Sequence, residues 1–432
     1  MNAGWWTYLG ALYLPLMAAL LARAVHGRRP RQAVACLLSL LWVAAALPLV
    51  EYASVQEGWW SFAKADLSFC GMPLALYVGW VLLWGAVPVF AFPKIQLRWV
   101  TLIMICVDLA GMPLAHNVVS LSPRWLIGEA IAVLVVLLPA LAISRWTMEQ
   151  THLHARAMLQ IATAGLVFLF LIPELFFALR PGAGWKPLIA MPSWLRQICL
   201  QAVFLLAVPG ISAVLEFAER GDGTPIPYDP PKRLVTSGIY RYVANPMQLF
   251  CALTMLAWAA LLQSGWMALG AAVSLIYSAG IAEWDEAQDL RRRFGEPWVM
   301  YRSEVRNWLP GWRPYAGASQ ARLYIAESCA PCSEVWLWLA QRRPVGMQIV
   351  AAETLPAGSI RRMRYEPGDE SASVDGVRAF ARALEHLHFG WALVGAMLRL
   401  PGIWQMAQML MDASGFGPRT ILPVRSQARR HS

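Results

Sequence analysis

Apolar runs of about twenty residues follow one another from the N-terminus to residue 282, separated by short polar or Gly/Pro-bearing connections. A helix needs roughly 20 mostly apolar residues to cross a ~30 Å hydrocarbon layer. On that rule the pattern predicts nine spans, near Trp5–Val25, Ala33–Val50, Pro73–Phe92, Trp99–Ala115, Trp125–Ser144, Leu159–Ala178, Ile198–Phe217, Met247–Gln263 and Trp266–Ala282. The first run lacks the positive n-region of a cleaved leader and reads as a retained span. After Trp312 the pattern changes to mixed apolar and charged residues with no run of membrane length. There Arg322–Glu327 predicts a strand, Cys332–Arg342 a helix, Met347–Glu353 a second strand and Val377–His388 a later helix, a succession expected of a small α/β domain. The basic end, Val424–Ser432, reads as a frayed tail.

Composition sharpens this picture. The chain of 432 residues is 58% hydrophobic and 14% charged, where a soluble domain carries about a quarter charged residues, and the mean hydropathy is +0.46. These values exclude a disordered chain and a single soluble domain. The seven cysteines are too scattered for a disulfide framework. Twenty-two tryptophans suit the membrane interface. The net charge of +10 is spread among the apolar runs, which fits loops facing anionic lipid and not a nucleic-acid footprint. Arg28, Arg29 and Arg31, then Lys94 and Arg98, then Lys232, Arg233 and Arg241, mark alternate connections. Under the positive-inside rule the N-terminus lies outside and the C-terminal part in the cytoplasm. Arg180, Lys186 and Arg196, on a connection assigned outside, are the misfit.

The stretch from Pro227 to Pro310 carries the most chemistry. Gly238-Ile-Tyr-Arg-Tyr-Val-Ala-Asn-Pro-Met247 precedes two apolar helices joined at Ser264 and Gly265, after which the chain emerges through Asp285, Glu286, Leu290, Phe294, Gly295 and Tyr301. So short a connection makes a tight antiparallel hairpin, and its two polar mouths then face each other at the membrane surface. This arrangement resembles the isoprenylcysteine carboxyl methyltransferase and phospholipid methyltransferase superfamily of membrane methyltransferases. Gly238, Tyr240, Arg241, Tyr242, Asn245, Pro246 and Met247, and then Leu290, Phe294, Gly295 and Tyr301, carry the likeness over about a third of the chain. The chain departs from the pattern at Ala244 (usually Arg), Gln248 (usually Tyr), Phe250 (usually small) and Ala287 (usually the second of two Glu). The resemblance implies S-adenosylmethionine as cofactor, held between the two polar segments on the cytoplasmic side, with a lipophilic or small methyl acceptor arriving from the bilayer. Its expected contacts are Gly238, Tyr240, Arg241, Tyr242, Asn245, Pro246, Gln248, Asp285 and Glu286. A carboxylate such as Glu286 suits the amino group of the cofactor, and Arg241 or the Asn245 amide its carboxylate.

In the tail, Cys329-Ala-Pro-Cys332 follows a predicted strand and opens a predicted helix. A helix N-terminus favours thiolate, so Cys329 is the expected nucleophile and Cys332 the resolving thiol, working with a cytoplasmic redox partner. Metal is not expected, because no second cysteine pair accompanies the first. The tail resembles the thioredoxin-like, DCC-type thiol-disulfide oxidoreductases through this start and the stretches Gly376–Leu384 and Gly390–Pro401, although Ala326 and Glu327 replace the usual Asp and Gly.

The expected whole is a polytopic α-helical membrane protein with a C-terminal α/β thioredoxin-like domain. Residues 1–157 form membrane helices without a motif, 158–314 a methyltransferase-like core, and 315–432 the dithiol domain. A tethered oxidoreductase with a decayed methyltransferase region, and a scaffold or transporter without chemistry, are the alternatives. Asp108, Glu129 and Glu174 lie in or near predicted spans, where an acid is by default a functional suspect.

Overall fold

The computed structural model describes residues 3–27, 30–180, 182–226, 229–317, 319–356, 358–369 and 371–418, with the side chains of 281–286 outside the described set; the basic tail Val424–Ser432 also lies outside it. Among the described residues, seven helices are long and apolar enough to cross a membrane. Six are α1 (Ala3–His26), α2 (Pro30–Glu57), α3 (Leu74–Ala91), α4 (Leu97–Leu114), α5 (Trp125–Glu149) and α6 (Leu153–Leu179), and the seventh is α7 (Ser193–Gly221). The last two of the nine expected runs form α8 (Pro246–Leu261) and α9 (Gly265–Tyr277), of 16 and 13 residues, short of the ~20 that a crossing requires. The protein is a polytopic helical membrane protein.

The chain divides into two compact units, one of Met1–Ala190 with Pro225–Pro230, the other of Met191–Thr224 with Pro231–Ser432. The first unit is built around α2, the most buried of the spans, which packs on α3, α5 and α6. A π-turn at Val133–Leu137 interrupts the regular bonding of α5, and the Trp42 indole donates to the Val135 carbonyl there at 3.1 Å. Without water in the bilayer, such a carbonyl must find a protein donor. Helices α1 and α3 touch through Gly79, where an added Cβ would stand 2.2 Å from the Ala11 carbonyl oxygen, the close approach that small residues permit between membrane helices. Short strands β1 (Trp60–Phe62), β2 (Ser68–Phe69), β3 (Met72–Pro73) and β4 (Val119–Leu121) close one end, β1 antiparallel to β4 and β2 to β3. Asp229, on the segment that joins this unit from far along the chain, pairs with Arg156 at 2.5 Å.

The second unit joins α7 and the hairpin to the tail. The chain does not break where the acidic segment begins. Instead α9 runs through a π-turn at Ser278–Ala282 into α10 (Glu283–Phe294), and α11 (Glu296–Glu304) follows Gly295. Gly295 has φ +58° and ψ −131°, a conformation open only to glycine, which stops α10 before a second helix starts. The tail forms a four-stranded sheet in the order β6 (Met347–Ala351), β5 (Ala321–Ile325), β7 (Arg364–Glu366), β8 (Val374–Asp375). β5 and β6 are parallel, with Ala321 opposite Met347, and are joined by α12 (Ala330–Gln341); β7 is antiparallel to β5. A parallel pair needs such a crossover. Leu323, Ile325, Leu339, Tyr365 and Leu384 fill the core between the sheet and the helices α12 and α13 (Val377–Leu384). The last described helices are α14 (Phe389–Leu398) and α15 (Ile403–Met411). The four tail elements that the sequence predicts are present, within three residues at each end except for α13, which stops at Leu384, short of His388; β7, β8, α14 and α15 have no counterpart in that reading.

Candidate active site

Gly238–Arg241 forms one turn of 3-10 helix, and Pro246 opens α8. Proline is suited there because the first helical N–H has no intrahelical partner to lose. Asn245 takes the N-cap position, yet its side chain makes no capping bond. The backbone of this segment is instead laced to the chain that leaves α11. The Ala244 N–H donates to the Arg306 carbonyl at 2.9 Å, Asn245 N–H to Asn307 at 3.2 Å, Gly311 N–H to Tyr242 at 2.8 Å and Tyr315 N–H to Arg241 at 2.9 Å. The Tyr301 hydroxyl, 1% exposed, donates to the Tyr240 carbonyl at 2.7 Å. Burial pushes that phenol well above its ordinary range, so it remains a donor at neutral pH.

This lacing leaves a cavity of about 750 Å³. Asn245 and Asn307 stand on one wall, Ala279 and Gly280 come from the π-turn, and Ala287, Gln288, Leu290 and Arg291 from α10. Trp298, Val299, Arg302 and Ser303 complete it from α11. Two guanidinium groups, three carboxamides and a hydroxyl therefore meet an indole and several small or aliphatic groups. Such a mixture fits a polar, partly anionic molecule with a flat ring, and the volume falls in the ~300–1,000 Å³ span of small-molecule sites.

Of the residues expected at a cofactor, Asn245 lines this cavity. Asp285 and Glu286 belong to α10, and their side chains lie outside the described residues. Gln248 is half-buried one turn into α8. The others meet different partners. Arg241 donates to the Tyr315 carbonyl at 2.6 Å and the Tyr242 hydroxyl to the Glu385 carbonyl at 3.0 Å. Gly238 has φ +62°, and a Cβ there would come within 3.2 Å of the carboxyl carbon of Glu216 and of the Arg399 guanidinium. The polar and aromatic cavity residues that the sequence reading missed are Gln288, Arg291, Trp298, Arg302, Ser303 and Asn307. The spacing of three to four residues that links Trp298 to Arg302, and Val299 to Arg302 and Ser303, was the available sign of one shared helix face.

A second cluster ties α7 to the tail. Glu216 is completely buried and receives two bonds of 2.7 Å from Arg382 together with bonds from Arg399 and Ser237. Glu385 pairs with Arg399 at 2.8 Å, and Glu219 with Arg382 at 3.0 Å. Burial alone would lower the pKa of Arg382, but Glu216, Glu385 and Glu219 outweigh it and hold the guanidinium charged.

In the tail, Cys329 is the N-cap of α12, and its Sγ lies 3.0 Å from that of Cys332. Neither sulfur is in a disulfide. The carboxylate of Glu353, just beyond β6, accepts from the Ser328 N–H at 2.9 Å, the Ser328 hydroxyl at 2.7 Å and the Glu327 N–H at 3.2 Å. Burial raises the pKa of Glu353, but these bonds prevail and lower it. No group of three or more metal-ligating side chains occurs among the described residues.

A family described as phospholipid methyltransferase matches residues 203–296, from within α7 to the start of α11. No curated protein and no solved structure matches the chain. The matched stretch contains the 3-10 turn, the hairpin and the acidic helix, and it supports a membrane methyltransferase.

Proposed function

We propose that the chain is a membrane methyltransferase that uses S-adenosylmethionine, bound in the cavity between Asn245 and helices α10 and α11. The observation that carries this reading is that cavity, opened by the stretch that matches the family. The donor set fits the cofactor. Arg291, Arg302 and the Asn245 amide suit its carboxylate, Trp298 its adenine ring, and Asp285 or Glu286 its amino group. Gly238, Tyr240, Arg241, Tyr242, Pro246 and Gln248 form the frame that fixes Asn245. When bound, the cofactor supplies an electrophilic methyl group. The chain's own part is to orient it, exclude water and align an acceptor, and positioning of that kind accounts for much of the rate of such transfers. The acceptor is a lipophilic or small molecule from the bilayer, and the basic connections favour a cytoplasmic site. Equilibrium dialysis of labelled S-adenosylmethionine against the detergent-solubilised protein tests this. Saturable binding is expected, at least tenfold weaker in Asn245→Ala. It is expected to be absent in Gly280→Leu, whose added Cβ meets no atom within 4 Å and so fills the cavity without a clash. No saturable binding by the parent protein overturns the reading and leaves the dithiol as the remaining chemistry.

The tail supports a second activity, that of a thioredoxin-like dithiol domain. The 3.0 Å approach of Cys329 to Cys332 at the start of α12 favours it. The Cys329 thiolate attacks a partner's disulfide and releases one of its thiols as thiolate. Cys332 then displaces the second, so that the partner gains two electrons and two protons while the pair becomes a disulfide.

A further inference from the structure

Three acids of the first unit meet inside its helical bundle. Glu51 of α2, Asp108 of α4 and Glu129 of α5 surround a chamber of about 30 Å³, together with Trp60, Trp80 and Trp84. Trp60 donates to Glu51 and Trp80 to Asp108, each at 2.8 Å. The carboxyl groups of Asp108 and Glu129 are hydrogen-bonded to each other, while the indole N–H of Trp84, a residue 1% exposed, has no partner. A buried donor left unpaired calls for an acceptor as its occupant. The chamber holds a group about the size of a water.

Asp108 and Trp80 also belong to a second cavity of about 590 Å³ between α1, α3 and α4. Apart from these two and Thr7 its lining is apolar or glycine, with Leu14, Leu83 and Gly111 typical. One carboxylate thus faces an alkyl-sized slot on one side and a small acidic chamber on the other. No Lys, Arg or His lines either cavity among the described residues. Acids at such depth ordinarily pair with a base or a polar pathway.

The geometry points to a binding site for a lipophilic primary amine, its chain in the slot and its nitrogen at Asp108 and the chamber. Bound as the neutral amine, the nitrogen accepts from the Trp84 indole N–H and donates its two N–H groups to carboxyl oxygens of the chamber. A primary amine head is also close to the size of a water, which a trimethylammonium head exceeds. Three carboxyl groups against one indole N–H favour a head with two donors and one acceptor, an amine, over a hydroxyl, which has one donor and two acceptors.

Native mass spectrometry of the full chain, titrated with dodecylamine, dodecanol and dodecyltrimethylammonium, tests the site. Dodecylamine is expected to add one molecule per chain, at least tenfold tighter than either of the others. Asp108→Asn keeps an oxygen for the Trp80 indole and is expected to weaken dodecylamine at least tenfold. Gly111→Leu, whose added Cβ meets nothing within 4 Å, fills the slot and is expected to abolish the adduct with the acid intact. Equal binding of dodecanol and dodecylamine, unchanged binding by a folded Asp108→Asn, or no saturable adduct with any of the three overturns the proposal. If Asp108→Asn does not fold, the head-group series and Gly111→Leu decide.

Discussion

His386 is fully buried between two partners that settle its tautomer. Its Nδ1 lies 2.7 Å from the Val345 carbonyl, which only accepts, so Nδ1 carries the proton and Nε2 accepts from the Tyr365 hydroxyl at 2.9 Å. Burial, reinforced by Arg241, pushes its pKa well below the usual histidine value. In the unfolded chain the ring titrates near 6.5. The stabilisation is therefore present above about pH 6.5 and is lost as pH falls, by about 1 kcal/mol at pH 5.5. A thermal melt of the protein followed at pH 7.5 and 5.5 is expected to show this loss, and His386→Gln to flatten it. Nothing in the sequence distinguished this histidine from others in the tail, because the residues that enclose it are 21 and 41 positions away. The tryptophans were legible only in part. Their number suggested interface anchors, but Trp60, Trp80 and Trp185 donate to Glu51, Asp108 and Glu174, and periodicity carries no sign of such pairings.

Helix ends decide much at the next scale. The apolar pattern located seven of its nine expected spans as helices of crossing length, since twenty apolar residues in lipid have few alternatives to a helix. It did not reveal that α9 and α10 are continuous through a π-turn, because the change from apolar to acidic sequence looks like an end when it marks only a change of surroundings. The strand–cysteine–helix start of the tail was readable, as the short apolar run and the proline after Cys329 have clear local preferences. Glu353 was not, because its bonds to residues 327 and 328 depend on how β6 lies beside β5. The element-scale prediction concerns α12. Titration of the protein with a graded thiol–disulfide buffer, read by mass shift, is expected to show Cys329 and Cys332 exchanging two electrons as a pair, and Cys332→Ser to accumulate a mixed disulfide on Cys329. A pair that stays reduced across the whole range removes the dithiol activity.

Across the whole molecule, the division of labour expected from composition does not coincide with the division into compact units. The composition changes near residue 315, yet the tail belongs to the same unit as α7 and the hairpin. Glu216 explains this coherence, since Arg382 and Arg399 of the tail neutralise it. At 29 residues α7 is about 43 Å long, more than a ~30 Å hydrocarbon layer requires, and Glu216 stands five residues from its C-terminal end. Removing one member of a buried ion pair costs about 3–5 kcal/mol, whereas replacing both with neutral groups is far less damaging. Arg382→Met is therefore expected to lower the melting temperature of the solubilised protein markedly, and Glu216→Gln with Arg382→Met to recover most of it. A double variant no better than the single one refutes this account of the cluster.

The same ion cluster has a consequence for how the protein is made. Arg399 is synthesised 183 residues after Glu216, when the helices upstream have already left the ribosome for the bilayer. Until then the acid has only Arg220, one turn further along α7, and the Ser237 hydroxyl, so its set of partners is completed only by the last quarter of the chain. A nascent polypeptide released before that point is left with a carboxylate whose two closest counter-ions, Arg382 and Arg399, are missing.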